Sequence, residues 1–564
     1  MLDNALLHSN VCFVTPIGSQ LCPNCNLCLL HVIVHLSIVD RQSQFHSQRW
    51  PERCSGWFAL HGLYATAARF RDPVLYKPKN HEQYNREGSI CPQMNELSYA
   101  DAIHGDEDCL FLNIYGPQYD GKKAGFGGFP VLVFIHGGSF QLGSASFEFS
   151  GADLLVERET IVITMNYRLS VLGFLHYPPY NITGNYGLKD QQAALKWINQ
   201  YVKFFGGDPN RVTLMGQSAG AAAVSYHLYS DRSRGLFQQA ALLSGSFLAP
   251  WAYTYRPEYF AEQYFKATGI TSRQQLYDRN ASELIMLNDW IGSYYFSRFI
   301  TWTLPTREAD DDPNPFFTAS PQEMSIRKRA LDVPLLVGKT LLEYETAMLY
   351  HSTPTQRTNV PNRWNPKVWE KLKSYIDANN QQFKAKGLIS NQREFTIKSS
   401  NNADINFPLE HSIDQMVAKG HTALIFLYRF DFDGKFGMYK NDVIKSQLID
   451  TRYGAVHGDD LGYIFNPYIL REALNRNKNY QKEWMVHGRM SEMVANFVKF
   501  GNPSLEDFKW KAYNAESDKK LYAVIDESFE MKTGSLMEPH FYSFCKDVYD
   551  CLYYFNCTSI ENAN

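Results

Sequence analysis

The sequence predicts an α/β protein in which helices pack on both faces of a mostly parallel central sheet. From residue 131 onward, short apolar runs of strand length alternate with stretches whose apolar residues recur at helical spacing. The 564 residues are 45% hydrophobic, which is enough apolar surface for a large core and excludes a disordered chain. No repeat period or long low-complexity linker interrupts the pattern.

The predicted strands are continuous apolar runs, as expected for strands that are buried on both faces. They cover residues 131–135, 161–165, 212–215, 333–337 and 423–428. A helix is predicted over residues 190–205, with Asp190 capping its start and Gly206-Gly207 ending it. Another helix is predicted in the small-residue stretch that follows residue 220.

Charge and hydropathy narrow the class of partner. The formal charge, 55 − 58 = −3, argues against nucleic acid, because phosphate contacts need clustered Lys and Arg. The apolar stretch 27–39 is shorter than the roughly 20 residues of a transmembrane helix. It also has no basic residue before it, unlike a signal peptide. We predict a single α/β domain over 55–545, an N-terminal segment over 1–54 and a tail over 546–564.

The cysteines and sequons bear on metal binding and on the compartment. Three of the ten cysteines, at 22, 25 and 28, have the spacing of metal ligands, but no second Cys or His pair follows at finger spacing. We therefore predict no metal site. Sequons begin at Asn181, Asn280 and Asn556. Together with the cysteines they favour the secretory pathway and glycosylation.

Two glycine-containing motifs follow predicted strands. Residues 216–220, GQSAG, place Ser218 on a predicted strand-to-helix turn, where only glycine fits on either side. A nucleophilic serine also needs a base and donors for an oxyanion. Residues 136–139, HGGS, follow the strand at 131–135 and offer main-chain N–H groups for that purpose. Each motif could instead be a plain turn.

These motifs, with their neighbours, resemble the type B carboxylesterase/cholinesterase family of α/β-hydrolases. The similar stretches, which include EDCLFLN, VFIHGGSF, GLKDQQAALKW, GQSAG and GAVHGDDLGYIF, span roughly residues 56–545. The resemblance implies an ester hydrolase with Ser218 as the nucleophile. It also implies an oxyanion hole formed by the N–H groups of Gly137, Gly138 and Ala219, and no metal or organic cofactor.

The same resemblance supplies the other two members of a catalytic triad. Glu343, five residues after Gly338, matches the family's acid, although Glu345 lies two residues on and is the alternative. His457 in GAVHGDDLGYIF matches the base. The order Ser–Glu–His is that of an α/β-hydrolase, and it implies an acyl-enzyme mechanism.

Further positions indicate the substrate class. The resemblance implies a disulfide between Cys91 and Cys109. It also implies that Trp251, in the acyl pocket, and Gln217 bind the substrate. Trp251 could instead be a plain aromatic residue of the core. Cholinesterases carry a Trp in the disulfide loop and a Glu before the serine. Here the only aromatic residue between Cys91 and Cys109 is Tyr99, and the residue before the serine is the neutral Gln217. Both differences weaken the binding of a cationic substrate. We expect a small neutral carboxylic ester as substrate. A cholinesterase and a non-catalytic adhesion or binding protein are the alternatives.

Overall fold

The computed structural model describes most of the chain between residues 57 and 561. The described residues are 33–34, 57–79, 82–83, 88–94, 103–118, 127–146, 150–295, 302–343, 366–437, 454–466, 480–513 and 520–561. The cysteine run at 22–28, Tyr99 and Glu345 lie outside them. Within the described part, no helix is both long and apolar enough to cross a bilayer.

Ten strands form the central sheet. They are β1 (Trp57–Leu63), β2 (Phe111–Pro117), β3 (Phe129–Ile135), β4 (Ile161–Met165), β5 (Gly207–Gln217), β6 (Gln239–Leu243), β7 (Leu335–Thr340), β8 (Ile425–Phe430), β9 (Leu521–Ile525) and β10 (Glu530–Thr533). Across the sheet their order is β10-β9-β8-β7-β6-β5-β3-β4-β2-β1. The strands β3 to β9 pair in parallel, whereas β1, β2 and β10 pair antiparallel at the edges. The predicted mostly parallel sheet is therefore confirmed.

The predicted strands correspond to β3, β4, β5, β7 and β8. The bounds of β4 are those predicted, and its residues are all buried. The largest difference is in β5, which begins at Gly207 rather than at residue 212. Its pairing with β3 includes Gly207 and resumes at Val212 after an irregularity. Because the intervening residues are polar, an apolar-run criterion misses them.

The start of the first predicted helix is wrong. The helix begins at Tyr186, after Asn185, so Asp190 is not its N-cap. Asp190 is instead fully buried, and its carboxylate accepts hydrogen bonds from the Arg168 guanidinium at 2.6 and 2.8 Å. A buried acid needs such a partner, and this pairing rather than capping explains its position. At the other end, Gly206 follows the helical residues with a φ of 83°.

Helices cover both faces of the sheet. Alternate residues of β3 point to opposite sides. Val133 joins an apolar cluster with the helices Tyr186–Tyr201 and Ala219–Tyr229, and Phe134 joins one with the helix Gln481–Phe500. The helices are α1 (Asp153–Glu157), α2 (Ser170–Phe174), α3 (Tyr186–Tyr201), α4 (Ala219–Tyr229), α5 (Pro257–Thr268), α6 (Arg273–Asp278), α7 (Ala281–Tyr295), α8 (Pro321–Arg327), α9 (Pro366–Ala385), α10 (Gln392–Asn401), α11 (Phe407–Ala418), α12 (Leu461–Ile464), α13 (Gln481–Phe500), α14 (Pro539–Tyr553) and α15 (Thr558–Glu561).

Short elements complete the described chain. Two-residue strands form three antiparallel pairs, Ile33–Val34 with Glu82–Gln83, Ala65–Thr66 with Val74–Leu75, and Gln93–Met94 with Ile103–His104. Single turns of 3₁₀-helix cover Pro178–Tyr180, Val202–Phe205 and Asp231–Ser233, and a π-helical turn covers Asn402–Asn406.

Candidate active site

Ser218 lies on the turn that joins β5 to α4, at the carboxyl end of a central strand. Its φ of 56° and ψ of −122° are unusual for a residue with a side chain, and strain of this kind occurs at nucleophile turns. Its N–H donates to the carbonyl of Leu243 on β6 at 2.8 Å. The neighbouring strand therefore helps to fix the strained backbone.

The two glycines around Ser218 lie where a side chain would collide with backbone. A Cβ on Gly216 would lie 2.3 Å from the carbonyl oxygen of Gly220, and a Cβ on Gly220 would lie 2.1 Å from that of Ile135. Glycine at both positions lets the first turn of α4 pack directly against β5 and the end of β3.

Glu343 lies in the segment after β7 and is fully buried. One carboxylate oxygen, Oε2, lies 2.6 Å from Nδ1 of His457. The other, Oε1, accepts hydrogen bonds from the Ser244 hydroxyl at 2.7 Å and from the Thr340 N–H at 2.6 Å. Both oxygens are thus engaged, which satisfies a buried carboxylate and fixes its orientation.

The segment that carries His457 is tied directly to the segment that carries Glu343. Leu342 and Val456 form an isolated parallel bridge, in which the Leu342 N–H donates to the carbonyl of Ala455 at 2.9 Å. The carboxylate of Asp459 accepts the N–H of Val456 at 2.9 Å. The acid and the imidazole therefore sit on two adjoining and braced pieces of backbone.

The charge state of Glu343 suits a partner for an imidazolium. Burial alone would raise the pKa of Glu343, but the hydrogen bond and charge of His457, the Ser244 hydroxyl and the charge of Lys339 outweigh it and lower that pKa. Glu343 is therefore ionised at neutral pH. An ionised carboxylate at Nδ1 favours the tautomer in which Nδ1 carries the proton and Nε2 is free to act as a base.

Gln217 lies next to that free nitrogen. Its side-chain nitrogen is 3.1 Å from Nε2 of His457, so the amide N–H donates to the imidazole lone pair. Gln217 immediately precedes Ser218, and this contact brings the Nε2 side of the imidazole to the nucleophile turn. The predicted substrate-binding residue thus touches the candidate base.

The candidate oxyanion donors lie at or against the same turn. A Cβ on Gly137 would be 2.6 Å from the Gln217 side-chain oxygen and 3.0 Å from Cβ of Ser218. Gly138 has a φ of 99°, which favours glycine. Ala219 is fully buried at the first position of α4, where helix N–H groups have no intrahelical acceptor. The structure therefore gathers Gly137, Ala219 and Ser218 at one point.

The other predicted residues occupy distinct positions. Trp251 is 9% exposed, packs in the apolar cluster of α3 and α4, and donates its indole N–H to the carbonyl of Asp404 in the π-helical turn at 2.9 Å. Cys91 and Cys109 form a disulfide. Asn181, Asn280 and Asn556 are all exposed, as a glycan would require. A second disulfide joins Cys551 and Cys557, a pairing that the sequence left open.

Two buried residues of the site carry no role in the sequence-based prediction. Ser244 follows β6 within the stretch SGSFLAPWA and holds Glu343. Asp460, three residues after His457, is fully buried and accepts a hydrogen bond from the Tyr428 hydroxyl at 2.7 Å. Burial raises the pKa of Asp460 to about 6. A serine or aspartate that binds another side chain has no periodic signature, so the sequence offers no signal for either.

Comparison with known proteins identifies the family of the chain. The model of the carboxylesterase family matches residues 64–542. The chain belongs to this family. The family membership that the motifs predicted is therefore confirmed, and the protein is a carboxylesterase.

Relatives of this carboxylesterase include a juvenile hormone esterase of Tribolium castaneum, 30% identical over 484 residues, which are 79% of this chain and 80% of that protein. A para-nitrobenzyl esterase of Bacillus subtilis is 30% identical over 77% of this chain and 83% of its own length. Among solved structures, a juvenile hormone esterase from Manduca sexta superposes with a TM-score of 0.71 at 25% identity, covering 88% of this chain and 95% of that one. The α/β-hydrolase fold is confirmed by this match.

Proposed function

We propose that this carboxylesterase hydrolyses neutral carboxylic esters through an acyl-enzyme formed on Ser218. The observation that carries the proposal is the 2.6 Å contact between Glu343 and Nδ1 of His457, with Nε2 turned to the nucleophile turn. An oriented base beside a strained serine is what nucleophilic catalysis of acyl transfer needs.

In the proposed mechanism, Oγ of Ser218 attacks the ester carbonyl while Nε2 of His457 accepts the hydroxyl proton. Glu343 holds the tautomer and stabilises the imidazolium. The N–H groups of Gly137, Gly138 and Ala219 bind the oxyanion. His457 then donates its proton to the departing alcohol, and a water molecule activated by His457 releases the acid from Ser218.

In the resting enzyme, the Gln217 amide competes for the lone pair that must accept the serine proton. The amide has to release Nε2 of His457 as substrate enters. Gln217 is neutral, so it places no negative charge beside the substrate, and this supports neutral esters over choline esters. The relatives act on different esters by name, so the acyl and alcohol groups preferred here need a direct assay.

The test combines covalent labelling with turnover. A fluorophosphonate that reacts with activated serines should modify Ser218, as read by peptide mass spectrometry. Ser218→Ala should abolish both labelling and hydrolysis of p-nitrophenyl acetate and butyrate. The matched control is Ser225→Ala, seven residues on in α4, where the hydroxyl only donates to the carbonyl of Ala221. An unlabelled Ser218 in folded protein would favour the non-catalytic binding protein.

A substrate panel then narrows the ester class. The panel holds p-nitrophenyl esters of increasing acyl length, a p-nitrobenzyl ester and juvenile hormone, the last two because of the relatives' names. Measured values of kcat/KM, each normalised to the labelled fraction of Ser218, rank the acyl and alcohol groups without bias from inactive protein.

A further inference from the structure

The loop that carries the candidate oxyanion donors has an unfavourable backbone. Gly138, Ser139 and Phe140 have φ angles of 99°, 54° and 60° in succession. Positive φ is unfavourable for the two residues with side chains, by roughly 1–2 kcal/mol each. Such a conformation persists only when surrounding contacts impose it.

Backbone hydrogen bonds hold this loop at Gly138 and Phe140, and Gln93 holds its end at Gly143. Its side-chain oxygen accepts the Gly143 N–H at 2.7 Å, and its side-chain nitrogen donates to the Gly143 carbonyl at 2.9 Å. The same nitrogen donates to the carbonyl of Cys91 at 3.0 Å. Gln93 is 5% exposed, so these bonds do not compete with bulk water. One amide thereby joins the Cys91–Cys109 disulfide to Gly143.

Gly143 in turn lies against the first oxyanion residue. A Cβ on Gly143 would be 2.8 Å from the carbonyl oxygen of Gly137 and 2.3 Å from Nδ1 of His136. That Nδ1 contacts the Gly137 carbonyl at 2.8 Å. A displacement of Gly143 would therefore be transmitted to the Gly137 peptide, which borders Ser218.

We propose that Gln93 is a positioning residue for the oxyanion hole and that the Cys91–Cys109 disulfide acts on catalysis through it. This rests on the proposed function of Ser218 and of the Gly137 and Gly138 N–H groups. Because an oxyanion exists only near the transition state, misplaced donors lower kcat and leave substrate binding nearly unchanged. Gln93 also stabilises the fold, but a purely structural role would not separate kcat from KM.

The test compares Gln93→Met, which keeps the length and loses all three hydrogen bonds, with wild type. We expect kcat per labelled Ser218 to fall by about 10- to 100-fold and KM to stay within about twofold. The inhibition constant of a trifluoromethyl ketone, which adds to the serine as a tetrahedral oxyanion, should rise by a similar factor. The control is Gln238→Met, which removes an amide that accepts the Val212 N–H at 2.9 Å in the middle of β5.

A double-mutant cycle tests the role of the disulfide. The double variant Cys91→Ser/Cys109→Ser should lower kcat through the same route. In free energy of activation, Gln93→Met should therefore cost less than about a third as much in that background as in the wild type. Independent, multiplying losses would overturn the coupling. Gln93→Glu keeps the acceptor for the Gly143 N–H and replaces Gln93→Met if that variant does not fold. We expect Gln93→Glu to lower kcat by at least several-fold.

The outcomes separate this inference from the proposed function. An unchanged inhibition constant in folded Gln93→Met or Gln93→Glu, with Ser218 still labelled, overturns the inference alone. Hydrolysis that survives Ser218→Ala overturns the proposed function, whatever Gln93 does.

Discussion

Glu343 keeps a charge in a position with no solvent contact because three groups bind its two oxygens. Glu343→Gln removes the charge that stabilises the imidazolium in the proposed mechanism, and it presents an amide to Nδ1 of His457. We expect kcat for p-nitrophenyl acetate to fall by about 10³-fold or more. Steady-state kinetics normalised to labelled Ser218 measure this.

The control for this prediction is Glu345→Gln, the carboxylate two residues on that the sequence also offers. It should change kcat by less than about twofold. If Glu345→Gln proves the more damaging variant, the acid is displaced by two residues from the position proposed.

Asp460 should make stability depend on pH. Its pKa of about 6 is raised from the ordinary 3.8, so the neutral carboxyl stabilises the fold fully below pH 3.8, and this stabilisation is lost as pH rises through about 6. Asp460→Asn retains an acceptor for the Tyr428 hydroxyl and cannot ionise. We expect its melting temperature to exceed that of wild type by roughly 2 °C at pH 8, and by less at pH 4.5.

Scanning calorimetry or thermal fluorescence at the two pH values measures that difference. The control is Asp231→Asn, whose side chain is 73% exposed. An Asp460→Asn gain that is equal at both pH values contradicts the proposed ionisation of Asp460 on going to pH 8.

At this scale, motif context pointed to the residues that are proposed to act on a substrate, but not to those that hold them in place. Ser218 and His457 stand in glycine-flanked contexts that sequence can display. The Ser244 hydroxyl binds Glu343, 99 residues away, and the Gln93 amide binds Gly143, 50 residues away. No local pattern encodes a contact of that separation.

At the scale of elements, the strand-turn-helix unit around Ser218 depends on close backbone contact. Gly220→Ala would place a methyl group 2.1 Å from the carbonyl oxygen of Ile135, so β3 or α4 must shift. We expect destabilisation of about 3 kcal/mol or more, with lower yield and lost activity. Denaturant unfolding of the purified variant measures it.

A matched glycine without such contacts gives the opposite sign. A Cβ on Gly488, in the middle of α13, meets nothing within 4 Å, and its φ is that of a helix. Gly488→Ala should stabilise the protein by about 0.5–1 kcal/mol through helix propensity. Equal losses in both variants would contradict the steric account of Gly220.

Strand prediction succeeded in β4 but misplaced the bounds of β7, whose buried residues include the polar Lys339 and Thr340. The residues of β4 are uniformly buried, so the apolar run and the strand coincide. The start of α3 was misplaced because Asp190 has the composition of a cap but serves as the buried partner of Arg168. The sequence alone does not distinguish an aspartate that caps a helix from one that pairs with a distant guanidinium.

At the scale of the whole molecule, a formal charge of −3 over 564 residues provides little long-range attraction for a cation. With neutral Gln217 beside the candidate nucleophile as well, choline esters should have no advantage over neutral esters of the same acyl group. A cation–π site would contribute about 0.5–2 kcal/mol, a factor of roughly 2–30 in kcat/KM.

The comparison is acetylthiocholine against a neutral thioacetate ester of similar size, at low and high salt. We expect kcat/KM values within about threefold of each other and no effect of salt on their ratio. A salt-sensitive preference of tenfold or more for the cation would favour the cholinesterase alternative.

The sheet as a whole could be predicted as mostly parallel, but its order could not. Pairing β5 with β3, and not with β4, depends on packing between residues far apart in the chain. The antiparallel edge formed by β1 and β2 likewise has no local sequence signal that distinguishes it from a parallel pair.

Because the Leu342–Val456 bridge fixes two backbone segments against each other, the number of residues on each side of it determines where Glu343 and His457 lie. An insertion or deletion of one residue between Gly338 and Leu342 would turn Glu343 to the opposite side of the extended chain, since side chains alternate there. A change of one residue between Gly454 and Val456 would likewise shift His457 relative to the bridge. In these two stretches, a substitution should therefore preserve activity more often than an insertion or deletion of one residue.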